Sequence, residues 1–154
     1  MFSDDVYRAN LASVIADLET WARAQRDVAE IETAAVASYW KMAVAPHAGG
    51  ACPFEILLRA DQRFDVLIAG ETYEDKPIDR FDFFPMLARA ICKGDVARVE
   101  ISNALTSAPE AIETHVTLED GWAWIGERRI GARAARRIDT TVESRTRRFL
   151  PYRR

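Results

Sequence analysis

The sequence PFEILLRADQRFDVLIAGETY, residues 53–73, contains two alternating apolar runs on either side of a short polar segment. Successive side chains of a strand point to opposite faces, and paired residues of an antiparallel hairpin share a face. Pairing Leu58 with Phe64 brings both apolar sets onto one face. The sequence therefore predicts an antiparallel hairpin in that register, with residues 60–62 as a three-residue loop.

The opposite face of this hairpin also carries apolar side chains. Leu57 and Leu67 lie there among charged neighbours, so we expect this face to be incompletely solvated. A surface of mixed polarity is typical of protein interfaces. Leu57 and Leu67 are therefore candidate partner-binding residues.

Helical and strand patterns surround the hairpin. An apolar stripe that follows a plausible N-cap at Ser3 predicts a first helix ending near Arg26, and residues 82–93, followed by Gly94, predict a second. Residues 28–37 fit either a continued helix or extended structure. Alternation predicts four further strands: residues 38–45, 95–101, 111–118 and 122–127.

The predicted order is helix, three strands, helix, two or three strands and a basic tail. This order indicates an α+β fold with one antiparallel sheet of five to six strands and both helices on one side. The element order resembles that of class I type III secretion chaperones, which are small, acidic, dimeric binding proteins. The resemblance implies a dimeric partner-binding protein, but an extra strand and the basic tail depart from the chaperone pattern.

The charge of the chain is divided between an acidic body and a basic tail. The total is −3, yet residues 127–154 hold ten arginines and three acidic residues, a net charge of +7, which leaves −10 for residues 1–126. We therefore predict one acidic α+β domain over residues 1–126. Residues 127–154 are predicted to be an Arg-rich extension that packs on this domain or extends it.

Within the tail, Arg136 and Arg137 are candidate partner-binding residues, because guanidinium groups bind carboxylates and phosphates in bidentate fashion. Their ligand is either an acidic protein surface, of this chain or of another, or nucleic acid. The acidic body favours protein, because it would repel duplex phosphates. Alternation over residues 138–144 predicts a strand docked on a sheet edge, and residues 149–154 are expected to be irregular.

Length and composition limit the class of protein. The 154 residues, 49% hydrophobic and 29% charged, fit one soluble domain. No apolar run approaches the roughly 18 residues that span a bilayer, and the amino-terminal residues are polar, so we expect a cytoplasmic protein without a membrane partner. Cys52 and Cys92 make no disulfide framework, although the sequence leaves a bridge between them open.

The segment APHAGGACPF, residues 45–54, is the one most similar to an active site. His47 is a possible base for a Cys52 thiolate, and the two glycines between them are able to turn backbone amides toward an anion. However, Pro53 is typical of the first position of a strand, and no helix N-terminus or P-loop ending follows Cys52. We therefore interpret the segment as a connection between two strands.

The run GETYEDKPIDRFD, residues 70–82, groups carboxylates that as a class bind Ca²⁺ or Mg²⁺. Their spacing is not that of an EF-hand, and we expect a solvated loop that leads to the second helix. The two histidines and two cysteines also lack the spacing of a zinc site. The sequence thus predicts neither a metal site nor a cofactor.

His115, Trp122 and Trp124 are the remaining candidates. His115 lies beside Glu113 on the polar face of a predicted strand, where a Glu/His pair is able to transfer protons. Trp122 and Trp124 share one face of the next strand, and they either stack a base or another flat ligand, or cover the sheet or an interface. We favour a non-catalytic, dimeric protein-binding or chaperone-like module. The alternatives are nucleic-acid binding through the tail, and a small-ligand binder or enzyme with a polar pocket.

Overall fold

A computed structural model describes residues 1–130 and 141–154, and this part of the chain contains two helices and nine strands. In chain order the elements are α1 Asp4–Ala24, β1 Ala29–Ala35, β2 Tyr39–Pro46, β3 Phe54–Arg59, β4 Arg63–Ile68, β5 Glu71–Pro77, α2 Phe83–Lys93, β6 Val96–Asn103, β7 Pro109–Thr117, β8 Ala123–Arg129 and β9 Val142–Arg148. The predicted α+β class and antiparallel pairing are confirmed. Instead of one sheet of five to six strands, however, the described strands form two sheets, ordered β1-β2-β3-β4-β5 and β8-β7-β6-β9.

The hairpin of β3 and β4 has the predicted register. Leu58 pairs with Phe64, and residues 60–62 form the loop. One face of the first sheet is consequently apolar from strand to strand: Met42, Ile56 and Val66 lie side by side and are buried. The alternation excludes a slip of one residue, which would turn all of these side chains to the other face, and the three-residue loop fixes the remaining choice.

Both helices pack on the buried face of the first sheet, as predicted. The ring of Trp21 in α1 lies 5.9 Å from that of Phe54, and the ring of Phe84 in α2 lies 5.0 Å from that of Phe64. Gly94 ends α2 in the left-handed conformation, with φ of 84°. The described part of the chain has these two helices, and neither is long and apolar enough to cross a membrane.

The structure adds two edge strands to the first sheet. β1 forms where the sequence fits helix or extended structure, and it pairs with β2 along its whole length. β5 corrects the prediction of a solvated loop. Glu71 and Tyr73 are buried there, and Arg63 donates hydrogen bonds to Asp75, so part of the run is held within the fold. Five strands instead of three thus separate the helices, and the resemblance to secretion chaperones stays a hypothesis.

The second sheet packs against the first through β5. The Tyr73 hydroxyl lies 2.7 Å from Oγ1 of Thr114 in β7, and both side chains are buried. Glu71, only 5% exposed, accepts hydrogen bonds from Arg128 at 2.6 Å and from Arg98 at 3.2 Å. The guanidinium of Arg128, with that of Arg98, holds the pKa of Glu71 below its usual range. A carboxylate buried between two sheets needs such partners, because an unpaired charge there is costly.

Part of the Arg-rich tail forms an edge strand. β9 pairs antiparallel with β6, so residues 142–144 of the predicted strand lie on a sheet edge, and the strand continues to Arg148. Residues 138–140 of the predicted strand lie outside the described part of the chain. β8 runs without interruption across the predicted domain boundary at residue 126. The division into an acidic domain and an extension stays a prediction.

The residues that follow β9 return to the first sheet. Their backbone is irregular, as predicted, but Phe149 and Tyr152 are buried. The Tyr152 hydroxyl donates a hydrogen bond to the backbone carbonyl of Cys52, and the guanidinium of Arg153 donates two to Asp27. These contacts fix the segment across the end of the first sheet.

Candidate functional site

An aromatic cleft lies where the two sheets meet beside α2. It has a volume of about 220 Å³ and opens between the end of β5, the connection from β5 to α2, and the start of β8. Its lining combines aromatic rings with three charged side chains: Phe64, Lys76, Pro77, Asp79, Arg80, Phe83, Trp122 and Trp124. The cleft therefore brings together the two tryptophans that the sequence predicts as binding residues.

The floor of the cleft is a packed set of rings. Trp124 meets Tyr73 edge to face, with ring centroids 5.4 Å apart, and its ring lies 6.1 Å from that of Phe83. Phe83 in turn lies 5.8 Å from Phe64. Rings that are already held by their neighbours lose little conformational entropy when a ligand binds, so the floor is a pre-organised apolar surface.

The rim of the cleft is polar and includes one exposed ring. Trp122 is 54% exposed, and the guanidinium carbon of Arg80 lies 5.6 Å from its ring centroid. Arg80 also donates hydrogen bonds to Asp82 at 2.9 Å and to Asp120 at 3.4 Å, which orient the guanidinium over the ring. An exposed tryptophan with a charged neighbour is typical of the anchor positions of binding surfaces.

The cleft depends on a close approach between β5 and β8. Alternation places Trp124 and Gly126 on the same face of β8, toward the first sheet. A Cβ at position 126 would lie 2.6 Å from ring atoms of Tyr73, so only glycine leaves room for that ring where it is. Tyr73 thereby reaches Thr114 and supports the edge of Trp124.

The structure does not bring the other predicted site residues to this cleft. His115 lies on the outer face of the second sheet, where its Nε2 is 2.8 Å from a carboxylate oxygen of Glu113. Leu57 and Leu67 are half-buried on the outer face of the first sheet. Two predicted binding residues lie outside the described part of the chain: Arg136 and Arg137.

The Cys52 segment is the connection between β2 and β3, as predicted. Cys52 is fully buried, and burial raises the pKa of its thiol to about 11. A thiol with that pKa stays protonated at neutral pH and is a poor nucleophile. Cys92 is also a free thiol, so the bridge that the sequence left open is not formed.

Sequence reasoning missed the residues that surround the tryptophans. From sequence, Phe64 is only a core residue, and Lys76 and Arg80 fall in a predicted loop. The one available signal is the presence of two cations within an acidic run, and it does not indicate contact with β8. Among the described residues, no group of three or more His, Cys, Asp or Glu side chains is arranged to hold a metal ion.

The arrangement of the cleft suits binding. An apolar floor holds an apolar group, while the charged rim orients whatever polar structure carries it. No histidine, cysteine or hydroxyl side chain is found among the described residues that line the cleft. This chain matches no protein-family model, no curated protein and no solved structure.

Proposed function

We propose that this chain is a non-catalytic protein-binding module and that the aromatic cleft takes an apolar side chain of the partner. The observation that supports this most is the size of the cleft. Its volume of about 220 Å³ is below the roughly 300–1,000 Å³ of typical small-molecule sites. A cleft of this size has room for one side chain of a partner protein.

The partner's side chain would pack on Phe83 and Trp124 and against the exposed ring of Trp122. Aromatic anchors of this kind dominate interface energetics, and removing one commonly costs about 2 kcal/mol or more. Lys76 and Asp79 offer both signs of charge at the rim. They are placed to bind polar groups that flank the anchor, which gives specificity more than affinity.

The two alternative functions have less support. Arg128, Arg129 and Arg153 each bond to a carboxylate of this chain, which engages part of the basic tail that nucleic-acid binding would use. The buried, protonated thiol of Cys52 weakens the case for an enzyme that uses it as a nucleophile. Of the three functions, protein binding through the cleft has the most support from the contacts of the described residues.

A capture experiment with matched variants tests the proposal. Wild type, Trp122→Ala and Leu57→Ala are immobilised, and the proteins that each retains from a lysate of the source cells are identified by mass spectrometry. We expect a protein that wild type and Leu57→Ala retain and Trp122→Ala loses. Leu57→Ala is the comparison because it truncates a half-buried apolar side chain on the other predicted binding face, so loss of capture by Leu57→Ala instead of Trp122→Ala would contradict binding at the cleft.

The captured protein is then purified and titrated against each variant. We expect Trp122→Ala to weaken binding at least about tenfold, a difference of about 1.4 kcal/mol, and Leu57→Ala to leave it unchanged. Equal capture by all three baits contradicts the proposal. Nucleic acid that elutes from all three baits as salt is raised would favour the tail alternative instead.

A further inference from the structure

β1 is an edge strand of the first sheet, and its outer side is open. At one end of its pairing with β2, the His47 amide donates a hydrogen bond to the Val28 carbonyl. At the other end, the Val36 amide donates to the Tyr39 carbonyl, and the pairs in between keep one register without a shift. Because backbone groups of a strand alternate in direction, the N–H and C=O groups point away from β2 at three successive alternate positions: Ile31, Thr33 and Ala35.

β9 presents a similar open edge on the second sheet. The Ala104 amide donates a hydrogen bond to the Thr141 carbonyl at one end of its pairing with β6, and the register has no shift. The backbone groups that point away from β6 are therefore those of Val142, Ser144, Thr146 and Arg148. Within residues 1–130 and 141–154, the outward groups of Ile31, Thr33, Ala35 and of these four residues have no hydrogen-bond partner. Open strand edges are templates for pairing with another strand.

An antiparallel pairing of β1 with β9 of a second copy sets these backbone groups against one another. When Ile31 lies opposite Thr146, residues 29–35 lie opposite residues 148–142, so all seven residues of each strand are paired. Neither strand contains a proline, and neither has a bulge in its existing pairing. The two edges are therefore able to join along their whole lengths.

The charges of the two strands match in this register. Glu32 lies opposite Arg145, and Glu30 lies opposite Arg147. Opposite charges directly across strands are stabilising. All four side chains are exposed, and among the described residues none of them forms an ion pair. A shift by two residues in one direction sets Glu32 against Glu143, and in the other direction leaves Glu30 without an arginine.

The other face of β9 fits a groove beside β1. This groove has a volume of about 470 Å³ and lies between β1 and α1, which lines it with Leu11 and Ile15. Val142, 46% exposed, lies opposite the part of β1 that borders the groove, whereas Arg148 lies opposite Ala29, outside it. The side chains that β9 presents to the groove are small and uncharged: Val142, Ser144 and Thr146.

We propose that this chain associates with a second copy by antiparallel pairing of β1 in one copy with β9 in the other, with Glu32 opposite Arg145. Pairing of like strands over their whole lengths is less favourable. Two β1 strands set Glu32 against Glu32, and two β9 strands, each with three arginines and one glutamate, set Arg145 against Arg145. Because the two paired surfaces differ, the association is head to tail. This proposal does not depend on what the aromatic cleft binds.

Charge reversal on each strand tests the pairing. We expect wild type to associate in sedimentation velocity at low ionic strength. Glu30→Arg/Glu32→Arg makes both edges basic, and Arg145→Glu/Arg147→Glu makes both acidic, so each variant alone should associate at least about tenfold more weakly. An equimolar mixture should recover association, because each basic β1 then meets an acidic β9 and each unchanged β1 meets an unchanged β9.

Thr146→Pro tests the backbone part of the pairing. It removes an N–H that points away from β6, so it leaves the existing ladder intact and blocks the new one. We expect this variant to lose association, while circular dichroism and thermal melts establish that each variant keeps the fold.

A monomeric wild type, charge variants that associate like wild type, or a mixture that stays dissociated would each overturn the proposal. A folded Thr146→Pro that associates normally would do the same. Capture by the cleft is measured on a different variant, Trp122→Ala, so either proposal is able to fail alone.

Discussion

Replacing Gly126 by alanine tests the contact on which the packing of the two sheets depends. The new Cβ would lie 2.6 Å from Cε1 and Cζ of Tyr73 and 2.8 Å from Cε2. Gly126 has no positive φ, so its backbone accepts alanine and the cost comes from packing alone. Movement of the ring is opposed, because it packs edge to face against Trp124 and its hydroxyl is bonded to Thr114.

Two effects set the size of the loss. Forcing a methyl group into a packed contact costs about 1–3 kcal/mol. If the ring moves away, the buried hydrogen bond between Tyr73 and Thr114 is also lost, at about 1 kcal/mol. We therefore expect Gly126→Ala to lower the free energy of unfolding by about 2–4 kcal/mol, which corresponds to roughly 4–16 °C in Tm for a chain of this size.

Urea denaturation of four proteins measures this effect: wild type, Gly126→Ala, Tyr73→Ala and the double variant. In the Tyr73→Ala background the methyl group meets no ring, so Gly126→Ala should cost little or stabilise the strand. The coupling between the two changes should be at least about 1 kcal/mol. A neutral Gly126→Ala, or the same cost in both backgrounds, would refute the argument.

Three further predictions concern single side chains. The lowered pKa of Glu71 means that its ion pairs stabilise the fold above the ordinary glutamate pKa of 4.5 and that this stabilisation is lost as pH falls through the native pKa. Glu71→Gln should accordingly cost about 1–2 kcal/mol at neutral pH, since Arg128 is half-exposed, and lose less stability than wild type in acid titrations of urea unfolding. Tyr152→Phe removes the donor to the Cys52 carbonyl and should cost about 1 kcal/mol by urea denaturation. Cys52→Ser should fold and keep every binding activity, with a loss of about 1–3 kcal/mol from burying a hydroxyl; unchanged stability with lost binding would contradict its structural role.

The sequence predicts most of the first sheet because its apolar alternation and its short loop together specify the register. Leu58 and Phe64 pair as expected, since a slip of one residue would mix apolar and charged faces, and a larger slip would need a different loop. The alternation of apolar residues does not predict β5. Its carboxylates indicate a solvated loop, whereas the segment pairs with β4 through its backbone, and arginines of other elements, such as Arg63 and Arg128, bond two of its carboxylates.

The candidate site was predicted in part. Trp122 and Trp124 share a face in any strand, so their joint exposure to one ligand follows from local sequence. Their contacts with Phe83 and Arg80 are set by how the two sheets pack, and no local periodicity specifies that packing. Gly126 is a similar case, because its role is to leave space for Tyr73, and a missing side chain leaves no pattern to detect.

The bond between Tyr152 and Cys52 joins residues separated by 100 positions, and it has a consequence for the order of events during synthesis. At roughly 5–20 residues per second, the β2–β3 connection emerges about 5–20 s before the segment that covers it. Contacts between residues so distant in sequence also form slowly once both are present. The buried surface around Cys52 is therefore among the last to be shielded from water during folding. We expect the yield of native protein to depend on the rate of elongation.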